Sequence, residues 1–283
     1  MLIAQITDVH LGFDPGRADE TNRLRLDRVI AALNALSPQP DLLLVTGDIA
    51  DRGTAEAYAQ FREAISALAC PVYCCPGNHD RRDPFRQALP QPGADTGFVQ
   101  YGFDAGELRV LVLDTLEEGR HGGSFCETRA AWLAGELARH ADRPTLIALH
   151  HPPIASGIAW MDPAPAAPWI ERLAQTVRGA GQIVKIICGH IHRPIAAQWQ
   201  GHGLAICAAT AAQLSLDLAP IDPASPDGRA MITDAPPAFA LHHWNGRELV
   251  THFGVAQDAQ VLANYDESMQ ELVSKVARER RPG

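Results

Sequence analysis

Gln182–Cys188, QIVKIIC, followed by Gly189–Pro194, GHIHRP, is the stretch on which the reading of this chain turns. The first seven residues are an apolar run of strand length, and two histidines two positions apart follow it directly. Side chains two apart on an extended backbone lie on one side, so His190 and His192 reach one region of space. A lone histidine after a strand is most often structural, and a pair makes a metal site only when the rest of the chain supplies partners.

Similar strand-like runs occur at Leu2–Thr7, Leu42–Thr46, Val72–Cys75, Arg109–Asp114 and Thr145–Leu149. Amphipathic segments alternate with them. Asn22–Leu36 places Leu26, Val29, Ile30 and Leu33 on one face. A second helix opens after Thr54, an expected N-cap, with Tyr58, Phe61, Ile65 and Leu68 on its buried stripe. Two more are expected at Thr128–His140 and Trp169–Arg178, the latter started by Pro168. This alternation predicts an α/β sandwich. Beyond Pro194 the pattern predicts strands at Ala197–Trp199, Leu204–Ala209, Ala238–Trp244 and Glu248–Phe253, the last two joined by the turn Asn245–Gly246. Residues 217–237 read as a long loop, and Asp266–Arg281 as a helix, acidic at its start and basic at its end. Nothing marks a domain boundary, so 1–283 is expected to be one domain with a C-terminal β extension.

Composition narrows the function classes. The chain has 283 residues, 46% hydrophobic and 20% charged, as expected of a globular protein rather than a disordered one. Its formal net charge of −9 and its lack of a dense basic stretch, apart from RERR near the end, argue against a nucleic-acid polymer as partner. No apolar run is long enough for membrane insertion. The six cysteines show neither CxxC spacing nor disulfide-scaffold density, and no signal-like leader opens the sequence. A reducing, cytoplasmic setting is the expectation.

The ends of the strand-like runs supply the partners. The first leads into TDVH (Asp8, His10), the second into TGDIADRG (Asp48, Asp51) and the third into PGNHDRR (Asn78, His79, Asp80). The fifth leads into HHPP (His150, His151), the sixth into GHIH. Taken singly, an aspartate after a strand is commonly a cap or turn former. Five such clusters at equivalent positions, with strand ends at one sheet edge, are more simply shared ligands, because open sheets bind beyond their carboxyl ends. Imidazole, carboxylate and amide oxygen without thiolate suit Mn, Fe, Zn or Co rather than a structural zinc. Seven ligands exceed the need of one such ion. Two ions about 3.5–4 Å apart, bridged by a carboxylate, fit the count and the chemistry of hydrolysis.

In this order, TDVH, GDIAD, GNHD, HHPP and GHIH resemble the calcineurin-like metallophosphoesterase family, over residues 8–192. The resemblance implies a four-layer α/β/β/α sandwich with two divalent transition-metal ions at its strand ends. By position, Asp8, His10, Asp48 and His192 would hold one ion, and Asp48, Asn78, His150 and His190 the other. It further implies that a metal-bridging hydroxide attacks phosphorus, with His79 contacting the phosphate and assisting the leaving oxygen and Asp51 orienting a ligand; His151 lines the pocket. Spacing and flanks, including AWMDP and HHWNGRELVTHF, are similar to the bacterial cyclic-nucleotide and glycerophosphodiester phosphodiesterases. A small phosphodiester is therefore the expected substrate. Residues 211–240 are expected to form a cap or a loop, and the C-terminal region a homo-oligomer contact.

Rival readings stay open at this point. GDIADRG is similar to the GDxxDRG of Ser/Thr protein phosphatases, where the arginine grips phosphate, so Arg52 has that role under a phosphomonoesterase reading. Those enzymes carry GNHE, against GNHD here. A nuclease is disfavoured by charge, and a non-catalytic scaffold by the complete ligand set. Candidate pocket walls are Arg120–Phe125, Ile154–Asp162 and Thr210–Asp217, with Phe125 and Trp160 as base-stacking candidates.

Overall fold

The computed structural model describes residues 1–17, 19–93 and 97–280. Its elements in chain order are β1 (Leu2–Ile6), α1 (Thr21–Asn34), β2 (Leu42–Thr46), α2 (Ala55–Ile65), β3 (Val72–Cys75), α3 (Arg82–Ala88), β4 (Tyr101–Ala105) and β5 (Leu108–Val112). There follow α4 (Glu127–Arg139), β6 (Thr145–Ala148), α5 (Pro168–Val177), β7 (Ile183–Cys188), β8 (Ile195–Trp199) and β9 (His202–Ile206). The chain then runs through β10 (Gln213–Leu214), β11 (Ile232–Thr233), β12 (Ala238–Trp244), β13 (Leu249–Val255) and α6 (Glu267–Glu279).

The strands divide between two sheets, ordered β13-β12-β1-β2-β3 and β4-β5-β6-β7-β9-β8. Alternation along the strands shows how the layers stack. Val110 and Val112 of β5, and Leu146 and Ala148 of β6, join the core shared with the first sheet. Their neighbours Leu111 and Ile147 face the other way, against Leu133 and Leu137 of α4 and Trp169, Leu173 and Val177 of α5. The helices α1 and α2 cover the first sheet with Leu26, Val29, Leu33, Tyr58 and Phe61, all buried. The result is the four-layer α/β/β/α sandwich, with apolar side chains filling both outer layers and the seam.

Local signals act as expected at most helix ends. Thr54 caps α2 by accepting from the Ala57 amide, and Pro168 opens α5. Leu68, expected on the α2 stripe, lies beyond the helix end and packs there half-buried. The strands after Pro194 are built into both sheets: β8 and β9 join the second, β12 and β13 the first. Trp244 pairs with Leu249, so the β12–β13 connection is a four-residue loop rather than the two-residue turn expected at Asn245–Gly246. The Asn245 carboxamide closes it by accepting from the amides of Arg247 and Glu248. Between residues 211 and 240 lies one short pairing, β10 with β11, and the exposed Leu218 sits over Gly157. Arg281, the last residue of the expected tail helix, lies outside the described residues. Among those described, no helix is long and apolar enough to cross a membrane.

Candidate metal centre

Parallel pairing of β1 with β2 and β2 with β3, and of β6 with β7, brings their carboxyl ends to one side of the seam. The loops beyond are stitched together: Asp8 and His10 amides donate to Gly47 and Asp48 carbonyls, and the Gly189 amide donates to His150 O. Two motif glycines are there because nothing larger fits. A Cβ on Gly47 would lie 2.4 Å from His150 Nδ1, and one on Gly189 1.9 Å from Thr7 Oγ1. The expectation that His190 and His192 converge from an extended backbone needs correcting, because both have left-handed φ, 72° and 53°. Asp8, His10 and Asp48 are left-handed too. The side chains meet because the backbone turns at each one.

All seven side chains named as ligands are brought together. Oxygens and ring nitrogens of Asp8, His10 and His192 cluster within 4.8 Å, as do those of Asp8, Asp48 and His150. His190 groups with His150 and His151, and Asn78 Oδ1 is 3.1 Å from His150 Nε2. Asp48 Oδ2 lies between His150 Nε2 at 3.3 Å and His10 Nε2 at 3.7 Å, one imidazole from each expected half-site.

Hydrogen bonding fixes the tautomers and thereby tests whether cations fit. His10 Nδ1 donates to Asp51 Oδ1 at 3.2 Å, His192 Nδ1 to Ala212 O at 2.7 Å, and His150 Nδ1 to Thr46 O at 2.7 Å. Each Nε2 is left as a bare lone pair. Yet His10 Nε2 faces His192 Nε2 at 3.2 Å, and His150 Nε2 faces the Asn78 and Asp48 oxygens. Asp8 Oδ1 is buried with no donor in this set of tautomers, and the bare His192 Nε2 lies 3.3 Å from it. Acceptors aimed at one another in a buried space repel unless positive charge sits among them. Protons answer the same demand: burial opposes a charged His150, but Asp48 overrides it and lifts the imidazole to about 9. Burial likewise opposes a charged His192, and Asp8 raises it. His190, with burial and the neighbouring His151 and His150 rings against it, stays neutral. The donor set fits divalent cations of the transition series.

The remaining expected residues separate by what they touch. Asp51 orients His10 through Nδ1. His79 donates from Nδ1 to Asp51 O at 2.9 Å, which leaves its half-exposed ring with Nε2 toward a cavity of about 670 Å³. Arg52 lies at the cavity rim, its Nε 3.5 Å from Asp51 Oδ2. His151 is buried with both ring nitrogens occupied, Nδ1 by the Thr115 hydroxyl at 2.8 Å and Nε2 by His121 O at 3.2 Å. It holds the loop that carries His121. Phe125 is fully buried beside Arg129 and is therefore core, not a base-stacking surface, and Trp160 is not among the cavity-lining residues.

Several contributors had no role of their own among the expectations, although His121 and Ala212 fall within the expected wall segments Arg120–Phe125 and Thr210–Asp217. Asp80, quoted within GNHD, is a buried clip that accepts from the Ile49, Ala50 and Gly77 amides and from Tyr58 Oη. Thr7 bonds Asp8 Oδ2 at 2.9 Å, and Thr46 and Ala212 act through carbonyls. His121 sits 4.7 Å, ring to ring, from His190.

The calcineurin-like phosphoesterase family model matches residues 1–194. The chain is 32% identical over 267 residues to the glycerophosphodiester phosphodiesterase GpdQ of Enterobacter lignolyticus, spanning 89% of this chain and 90% of that one. It is 30% identical over 224 residues to the 3',5'-cyclic adenosine monophosphate phosphodiesterase CpdA of Escherichia coli K12, spanning 75% and 76%. A dimetal phosphatase from Danio rerio has the same fold, with a TM-score of 0.65 at 16% identity over 91% of this chain and 97% of that one. The five strand-end clusters lie within the span that the family model matches, and the chain, in fold as in sequence, belongs to the calcineurin-like phosphoesterase family.

Proposed function

We propose that this protein is a binuclear metal-dependent phosphodiesterase acting on small phosphodiesters, glycerophosphodiesters or 3',5'-cyclic nucleotides. The observation that carries the reading is the pair of bare imidazole nitrogens, His10 Nε2 and His192 Nε2, facing each other at 3.2 Å beside the unpartnered Asp8 Oδ1. Asp8, His10, Asp48 and His192 would hold one ion and Asp48, Asn78, His150 and His190 the second, with Asp48 shared between them. Two ions of Mn, Fe, Zn or Co bound there supply Lewis acidity toward the phosphoryl oxygens and lower the pKa of the attacking water.

The chain's own residues do the rest. Asp51 holds His10 in the tautomer that presents Nε2 inward. His79, anchored through Nδ1, reaches the substrate phosphate with Nε2 and assists the departing alkoxide as a proton donor. Among the described residues the cavity wall includes Arg52, Arg81, Arg120, Glu118 and His121 and no aromatic carbocycle, which favours a polar glycerol-type alcohol over a stacked base. The residues around 211–240 are the proposed cap, tied to the centre through Ala212 O. A second copy of the chain is the proposed partner of α6, none of whose residues is buried. Its acidic start, Glu267 and Glu271, complements its basic end, Lys275 and Arg278, in an antiparallel pair. The six free thiols accord with a reducing, cytoplasmic setting.

Turnover of glycerophosphoethanolamine, cAMP and a phosphomonoester by manganese-loaded protein tests the reading. Both diesters are expected to outpace the monoester. Asp48→Ala and Asn78→Ala should lose metal and activity together, whereas His79→Ala should keep its metal and turn over about 10²–10⁴-fold more slowly. Full activity after chelation and dialysis would refute it.

A further inference from the structure

A chain of side-chain hydrogen bonds leaves β7 at Lys185, crosses the seam and returns to β7 at Cys188. Lys185 Nζ donates to Thr251 Oγ1 on β13 at 2.8 Å. Thr251 Oγ1 is 2.9 Å from His242 Nδ1 on β12, and His242 Nε2 is 3.0 Å from Gln5 Oε1 on β1. Gln5 Nε2 then donates to Thr46 Oγ1 on β2 at 2.8 Å and to Cys188 O on β7 at 2.9 Å. Elementary donor chemistry fixes the direction of every step. A backbone carbonyl accepts only, so Gln5 must turn its NH₂ toward Cys188 and its oxygen toward His242. His242 must therefore donate at Nε2, and its neutral ring accepts from the Thr251 hydroxyl at Nδ1. Burial, with Lys185 and His252 nearby, pushes His242 down to about 3 and keeps it neutral.

The position of this ring gives it a role. The candidate cage draws Asp8, His10, Asp48 and Asn78 from loops of the first sheet and His150, His190 and His192 from loops of the second. Gln5 lies three residues before Asp8, Thr46 two before Asp48, and Cys188 two before His190. Its one amide group thus ties the roots of three ligand loops, from both sheets, directly below the cage. Ligand distances for such ions tolerate only about ±0.2 Å, so the seam must be held. We propose that Gln5 is a positioning residue that clamps the two sheets at the separation the ion pair requires, with His242, Thr251 and Lys185 setting the orientation of its amide. This rests on the two-ion reading above.

The test is manganese binding, by calorimetric titration and by the electron paramagnetic resonance signal of a coupled pair, on protein whose fold is checked by circular dichroism. Wild type is expected to take up two Mn²⁺ per chain. Gln5→Leu should bind them about 10–100-fold more weakly, with the coupled-pair signal lost or altered. His242→Phe, which removes the donor to Gln5, should follow it, and His242→Gln, which restores a donor, should recover most of the affinity. The double variant Gln5→Leu/His242→Phe should bind no more weakly than Gln5→Leu alone. Should Gln5→Leu fail to fold, the His242 pair decides, since His242 contacts none of the ligands. Two tightly bound ions in the wild type with undiminished binding in Gln5→Leu and His242→Phe overturn the clamp alone. A wild type that takes up fewer than two ions overturns the functional reading, and the clamp with it.

Discussion

Acidification should destabilise this protein through His242, and the size of the effect follows from where that ring sits. His242 is fully buried between Gln5 and Thr251, and burial, then Lys185 and His252, depress it from 6.5 to about 3. The folded protein therefore refuses a proton that the unfolded chain accepts. The stability involved is present above pH 6.5 and is lost as pH falls from 6.5 toward 3. At pH 5 the unfolded chain gains RT ln(1 + 10^1.5), about 2 kcal/mol, relative to pH 7.5. His242→Gln keeps a donor for Gln5 but cannot titrate. Urea unfolding of both proteins, manganese-saturated at pH 7.5 and at pH 5, reads the difference directly, because every other titrating group is common to the two. The fall in stability between the two pH values should be about 2 kcal/mol smaller in His242→Gln. An equal fall in both would refute the neutral, doubly engaged ring, and with it the donor directions assigned to the network.

Two further predictions concern the loops. Gly189→Ala would put a Cβ 1.9 Å from Thr7 Oγ1 and 3.0 Å from Asp8 Oδ2, so it should abolish uptake of at least one Mn²⁺ per chain, and wild-type stoichiometry would contradict the assigned packing. Asp80→Asn would turn an NH₂ toward amides that now donate to a carboxylate, so denaturant unfolding should show a loss of about 2 kcal/mol, and Tyr58→Phe, which removes one bond to the same carboxylate, about 1 kcal/mol.

What could be read in the sequence was what neighbours in sequence determine. Apolar runs, the Thr54 cap, Pro168 and the five strand-end clusters are local signals, and the candidate ligands follow their strands within a few residues. Pairing between distant strands leaves no such mark. The strand ends were expected along one sheet edge, but they lie on two sheets facing across a seam. Tyr101–Ala105, YGFDA, carries a glycine and an aspartate and shows no clean alternation, so β4 became visible only through its pairing with β5. The same limit applies within the site. Imidazole and carboxylate announce themselves by residue type, whereas the carbonyls of Thr46, Asp51 and Ala212, which fix three histidine tautomers, belong to backbone that any residue supplies.

The left-handed turns at Asp8, His10, Asp48, His190 and His192 also bear on how the cage works. Side chains other than glycine occupy that region at a cost of about 1 kcal/mol or more each, and five together would unravel an isolated loop. They persist because neighbouring backbone bonds overdetermine them: Asp8 N to Gly47 O, His10 N to Asp48 O, Thr210 N to Thr7 O, Ala211 N to Asp8 O and Gly189 N to His150 O. Three join strand ends within one sheet, and the Thr210 and Ala211 bonds tie the segment after β9, in the second sheet, to the end of β1 in the first. The energy that bends these loops thus comes from strand pairing within each sheet and from packing across the sandwich. Loops held this way would offer a cation a site already ordered, which is the arrangement that favours tight uptake.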